Sequence, residues 1–168
     1  MALAGLPLLA SPSAGLSEAL DAAAVCDLLT GAEVEAVQGQ AVTGRHPSES
    51  PSTSFRVVRC AYRTEDFTSS VSVALGEPLD GRPDGPRAYW RTRFHPEGGF
   101  TGKEEPPRPV EGLGDEAFWT GDAVAGSLYV LAGDRFVRVS VGGVPESATR
   151  EERSRELAAR VLARLADR

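Results

Sequence analysis

Lysine is almost missing from this chain. Of 18 basic residues, 17 are arginine and only Lys103 is lysine. They are outnumbered by 24 acidic residues, which leaves a formal net charge of -6 at pH 7. A chain of that sign is a poor partner for nucleic-acid phosphates or an anionic membrane surface, so no nucleic-acid partner is expected. No apolar run reaches the roughly 18 to 20 residues of a membrane-spanning helix, so no membrane span is expected. There are two histidines, His46 and His95, and two cysteines, with no C-x-x-C and no H-x-x-x-H. That is no metal-ligand spacing, and no metal or cofactor is expected. Gly112 and Gly114 form a G-x-G without the strand, further glycine and helix of a dinucleotide site. No G-x-S-x-G elbow exists, and both histidines lie in proline-bearing stretches, so no nucleophile and base come together in the sequence.

What the sequence does have is an ordinary globular balance. Its 168 residues are 41% hydrophobic and 25% charged. One domain of this size buries roughly 70% of the surface its unfolded chain exposes, enough for a real core. Residues 1–15 stand apart. Ala2 to Ala10 is apolar and Ser11 to Gly15 is small and turn-forming, like the end of a signal h-region with a cleavage site near Ala14. The positive n-region is missing, so the segment reads either as a signal-peptide remnant or as an apolar tail. Residues 16–168 read as a single domain. Cys26 and Cys60, 34 positions apart, fit one disulfide and equally two buried thiols. A bond between them would contribute roughly 3 to 4 kcal/mol in the chain-entropy account. The export-like start weights the reading toward the bond.

Periodicity predicts the elements. Residues 16–29 read as a helix with Leu20, Ala24 and Leu28 on one face and Ser17 and Asp21 as caps. Thr30-Gly31-Ala32-Glu33 is a capping box opening a second helix that stops at Gly39. Residues 40–44 read as a short strand and residues 46–53, with two Pro and three Ser, as a loop. Phe55 to Tyr62 is a strand that turns Val58, Cys60 and Tyr62 inward. Val71, Val73 and Leu75 alternate with polar or small residues, the pattern of a half-buried strand. Residues 76–112 are rich in Gly and Pro and read as irregular, with residues 87–94 a strand or one to two helical turns. Leu128 to Leu131 and Phe136 to Val141 form a hairpin with Val137, Val139 and Val141 inward, a pattern that leaves Phe136 out of place. Thr149-Arg150-Glu151-Glu152 reads as a second capping box before a long helix carrying Leu157, Val161 and Leu165. The order points to an α+β domain: an antiparallel β-sheet with an N-terminal helix pair and a long C-terminal helix packed on one face.

Candidate sites are few. Tyr89, Trp90, Arg91, Arg93 and Phe94 form the densest aromatic and basic stretch, and Trp, Tyr and Arg are the usual anchors of protein interfaces. The same residues also fit an element whose aromatics fill the core while its arginines face water. Asp115 and Glu116 are neighbouring carboxylates, suited to acid–base work or to capping local amides.

Cys26-Asp27-Leu28-Leu29-Thr30 with Glu33-Val34, then Cys60-Ala61-Tyr62, then residues 110–119 (VEGLGDEAFW) and Leu157 to Leu162, resembles a group of small exported or lipid-anchored bacterial domains from GC-rich species, similar to the PsbP-like α+β sandwich. The resemblance implies an extracytoplasmic accessory domain in which the Cys26–Cys60 pair ties the first helix to a strand. It carries over no catalytic residue. The expected function is a non-enzymatic extracytoplasmic (periplasmic or secreted) accessory or protein-binding domain, such as an extrinsic subunit of an envelope complex, with an unidentified protein partner. The alternatives are a small-ligand carrier with a cavity between sheet and helices, and a small hydrolase.

Overall fold

The computed structural model describes residues 19–101 and 105–168. The apolar segment 1–15 and Ser17 lie outside the described residues. Among these residues seven strands form one antiparallel sheet: β1 (Val42–Ser50), β2 (Arg56–Thr64), β3 (Val71–Glu77), β4 (Arg108–Pro109), β5 (Glu116–Gly121), β6 (Gly126–Ala132) and β7 (Arg135–Val141), in the spatial order β1-β2-β3-β7-β6-β5-β4. Among the described residues four α-helices accompany it: α1 (Ala22–Val25), α2 (Gly31–Gln38), α3 (Gly85–Phe94) and α4 (Ser147–Ala166).

The first face of the sheet carries the expected helices. Val58, Cys60 and Tyr62 of β2, Val73 and Leu75 of β3, and Val137 and Val139 of β7 are fully buried there. The alternation of apolar and polar residues placed them on one side because successive side chains of a strand point to opposite faces. α4 lies across β6 and β7 with Leu157, Ala158 and Val161 buried. α2 packs against α4, and α1 rests on β2. The capping box of α2 forms as the sequence implies, with Thr30 and Glu33 exchanging side-chain and backbone hydrogen bonds, and Gly39 ends the helix at a φ of 75°. Cys26 and Cys60 are joined in a disulfide with their Cα atoms 5.1 Å apart. It clamps the end of α1 to the middle of β2, and the Tyr62 hydroxyl donates to the Cys26 carbonyl at 3.1 Å beside it. Burial pushes the Tyr62 phenol up to about 12.

Four expectations need correction. The helix over residues 16–29 shrinks to Ala22–Val25, capped by the Asp21 carboxylate accepting from the Ala24 amide. Leu28 and Leu29 are both fully buried although they are neighbours in sequence, and a turn after the clamped Cys26 delivers both to the core where a helix would splay them about 100° apart. Residues 46–50, expected as a loop, belong to the nine-residue β1. Its Pro47 is tolerated because β1 is an edge strand, whose outer backbone row needs no partner. The box at Thr149 does not open α4. That helix starts earlier, after Glu146, and makes no side-chain cap. Its first turn is instead fastened by the buried Arg150, whose guanidinium donates to the carbonyls of Val144, Pro145 and Asp122 at 2.7 to 3.0 Å.

The last correction concerns the irregular stretch. Residues 85–94 form a ten-residue helix, α3, with proline in its first turn, and it packs on the second face of the sheet against β3 and β7. The helix pair and α4 do share one face, but the sheet is covered on both.

Candidate functional site

The second face is built in rows, because antiparallel register sets side chains of adjacent strands beside each other. Nearest to α3 runs Glu116, Leu131, Phe136, Gly76 and Val57. The Phe136 ring lies on Gly76, where any Cβ would come within 2.1 Å of the ring. This explains Phe136: it faces a second core, not water. The next row is Phe118, Tyr129, Arg138, Ala74 and Arg59. Beyond it, Thr120, Ser127, Ser140 and Ser72 bring four hydroxyls across four adjacent strands.

α3 covers the first row and part of the second. Trp90 and Phe94, four apart and so on one side of the helix, are each 2% exposed. Phe94 stacks on Phe118 with centroids 4.8 Å apart and lies 4.4 Å from the Trp90 ring. The Trp90 indole N–H donates to Glu116 Oε2 at 2.8 Å, and the same oxygen lies 2.8 Å from His95 Nε2. The His95 contact first, then Trp90, holds the Glu116 carboxyl below the usual carboxylate range. Tyr89, half-buried, stacks on Phe136 at 5.2 Å, and burial raises its phenol.

The aromatic and basic stretch is therefore split by the fold. Trp90 and Phe94 are core and cannot anchor a partner from the surface. Arg91 is exposed and makes no side-chain hydrogen bond or ion pair among the described residues. Arg93 is exposed and turns toward the open half of the face, with its guanidinium carbon 5.2 Å from the Tyr129 ring centroid. Arg138 reaches the same ring from β7 at 5.9 Å. Asp115 accepts from the Gly133 amide at 2.8 Å and stabilises the turn between β6 and β7. Among the described residues neither histidine is hydrogen-bonded to a serine or threonine hydroxyl, and no three His, Cys, Asp or Glu side chains gather as a metal site. No helix among them is long and apolar enough to cross a membrane.

The uncovered half of the second face is the floor of a groove of about 1120 Å³. Thr120, Ser127 and Ser140 form its bed, Tyr129 and Arg138 one side, Arg93 and Phe100 the rim from α3 and its following loop, and the turn at Asp122 to Ala125 the far end. Phe100 is 45% exposed. The Asp122 carboxylate is occupied by the Ala125 and Val124 amides, which hold it below its ordinary range. The first face offers less. Its core is filled, and the hollow beside Thr30, Val42 and Arg45 measures about 430 Å³ and lies at the surface.

This is a known fold. Among solved structures the chain is similar to the extracellular domain of PknH from Mycobacterium tuberculosis, with a TM-score of 0.53, 13% identity, 90% of this chain and 100% of that chain covered. At that identity the likeness shows the fold alone. No protein-family model and no curated protein matches the sequence.

Sequence reasoning missed Thr120, Ser127, Arg138 and Ser140. Each is the outward partner in an alternating strand, where Ser, Thr and Arg are ordinary solvent-facing residues. The only signal was the out-of-place Phe136, which marked the second face as something other than solvent.

Proposed function

We propose that this chain is a non-enzymatic extracytoplasmic binding domain that takes a small ligand in the groove on the second face of its sheet. The observation that carries the reading is the division of that face: half sealed by α3 over aromatic residues, half left as a polar groove with two arginines and a row of hydroxyls. Its volume of about 1120 Å³, slightly above the roughly 300 to 1,000 Å³ of typical small-molecule pockets, leaves room for a small ligand. The disulfide supports the extracytoplasmic part, because such bonds persist in oxidising compartments. The similar solved structure is itself an extracellular domain, in keeping with this.

Two measurements test the reading. Thiol titration of denatured, unreduced protein is expected to find no free thiol, and two per chain would overturn the export reading. Native mass spectrometry of protein taken from its own cell envelope is expected to find a small-molecule adduct that Ser140→Trp, which fills the groove, removes. A mass without adduct would overturn the ligand reading. The second reading, a protein-binding accessory domain, is favoured by one observation: Arg87 and Arg91 are exposed beside half-buried Tyr89 on the outer side of α3. It predicts a co-purifying protein released by Arg91→Glu and unaffected by Ser140→Trp.

A further inference from the structure

We infer that the groove selects an acidic, hydroxyl-rich small molecule of the sugar-acid or sugar-phosphate class, its charge taken by Arg138 and Arg93 and its hydroxyls by Thr120, Ser127 and Ser140. The inference rests on the ligand reading above and narrows it.

Several arginines of this acidic chain pair with carboxylates: Arg45 with Asp27, Arg56 with Glu49 and Glu77, Arg164 with Glu33. Arg93 and Arg138 have no carboxylate within ion-pair distance among the described residues, and both hold their guanidiniums within 6 Å of one ring centroid. The acids at the groove do not neutralise them. Asp122 serves its own turn, and Glu105 stands at the rim. Two like charges gathered beside one tyrosine ring, neither paired with a carboxylate, suit an oxyanion. The Arg138 Nε is buried and has no acceptor, so one donor of its planar fork is still unused.

The hydroxyl row lies beside these charges. Ser127 and Ser140 Oγ lie 2.6 Å apart and satisfy each other with one proton, which leaves the other hydroxyl proton and several lone pairs for a ligand. Thr120 donates only a long bond, 3.4 Å, to the Ser127 carbonyl. The Ser72 Oγ at the end of the row is buried without a partner. A row of groups that both donate and accept matches a polyol, whose hydroxyls do the same. The exposed Phe100 ring at the rim offers the apolar face that sugar rings stack against.

The test is an amide-resolved NMR titration of the full chain with glucuronate, glucose 6-phosphate, glucose and inorganic phosphate. Glucuronate or glucose 6-phosphate is expected to move the amides of Ser127, Arg138 and Ser140 saturably, at least tenfold more tightly than glucose or phosphate. Glucuronate against glucose 6-phosphate decides between the carboxylate and phosphate forms of the class. Arg138→Gln is expected to weaken binding tenfold or more. Arg93→Gln, at an exposed helix position, gives the same readout should the first variant fail to fold. Glucose binding as tightly as the acids, or phosphate as tightly as its sugar ester, overturns the inference while leaving a ligand groove intact. Absence of saturable shifts with all four probes also overturns it, and the native adduct then decides separately whether the groove reading survives.

Discussion

The two faces of the sheet solve burial in different ways. The first is mainly aliphatic and complete. Val and Leu from β2, β3, β6 and β7, joined by Tyr62 and Trp119, meet α1, α2 and α4, and a disulfide closes one corner. The second is aromatic and partial. Phe55, Tyr89, Trp90, Phe94, Phe118, Tyr129 and Phe136, seven of the chain's eleven aromatics, pack between a single short helix and the sheet, and the sheet beyond them is polar. The difference teaches how one sheet can be both core and receptor. A ten-residue helix spans about 15 Å, too little to cover a seven-stranded face. Aromatics concentrate burial where the helix lands, at 150 to 250 Å² each, and release the rest of the face for groups that need water or a ligand.

The strongest way to break this comparison is to empty the aromatic layer. Trp90→Ala is expected to destabilise the domain by about 3 to 5 kcal/mol, because the cavity sits among Phe94, Phe118 and Phe136 and Glu116 loses a donor. Hydrogen exchange should report its largest increase in residues 85–94, with β2 and β3 least changed. A uniform increase would erase the distinction between the layers. Next comes the clamp on the aliphatic side. Replacing Cys26 and Cys60 together by Ala is expected to lower stability by roughly 3 to 4 kcal/mol in denaturant unfolding, with the amides of α1 most exposed and those of α3 unchanged.

Two smaller effects concern pH. Glu33 joins α2 to α4 through Arg164 at 2.7 Å and Arg160 at 3.4 Å, and chiefly the Arg164 contact lowers its carboxyl from 4.5 to about 2. A depressed carboxyl stabilises the fold above its unfolded value. That contribution is therefore full at neutral pH and drains between about 4.5 and 2. Glu33→Gln is expected to be less stable by about 1 kcal/mol at pH 7, with the gap closing on acidification. On the other face Glu116 is also lowered, by His95 first, so its contribution has the same sign and is lost as pH falls through the lowered carboxyl range. It is 44% exposed, and Glu116→Gln should cost no more than about 0.5 kcal/mol at pH 7. Equal pH responses from both glutamates would remove the contrast between a half-buried tie and a surface one.

The first face was legible because it obeys a single rule. Val71, Val73 and Leu75, or Val137, Val139 and Val141, alternate with residues that look like a solvent side. The capping box at Thr30 was legible because its partners are three residues apart. α3 was legible only as one of two alternatives, strand or helical turns, although Pro86 and the Trp90–Phe94 spacing fit a helix start and one buried side. The glycines and prolines around it signal turns in any local reading, and only the aromatic surface of the sheet makes a helix there worth forming. β1 was misread at Pro47 and its serines because nothing local tells that the segment ends up at a sheet edge. The disulfide was legible only as one of two alternatives, since the approach of Cys26 to Cys60 depends on how α1 docks.

The amino-acid string by itself determined which residues alternate, where α2 is capped and how charge is balanced, because each depends on neighbours within a few positions. Tertiary structure alone decided that Thr120, Ser127 and Ser140 stand side by side, that Arg93 and Arg138 meet over Tyr129, and that Phe136 finds a glycine opposite it. The physical reason is register. Backbone hydrogen bonds between distant strands align side chains across the sheet, and no spacing along one strand encodes what lies on the next.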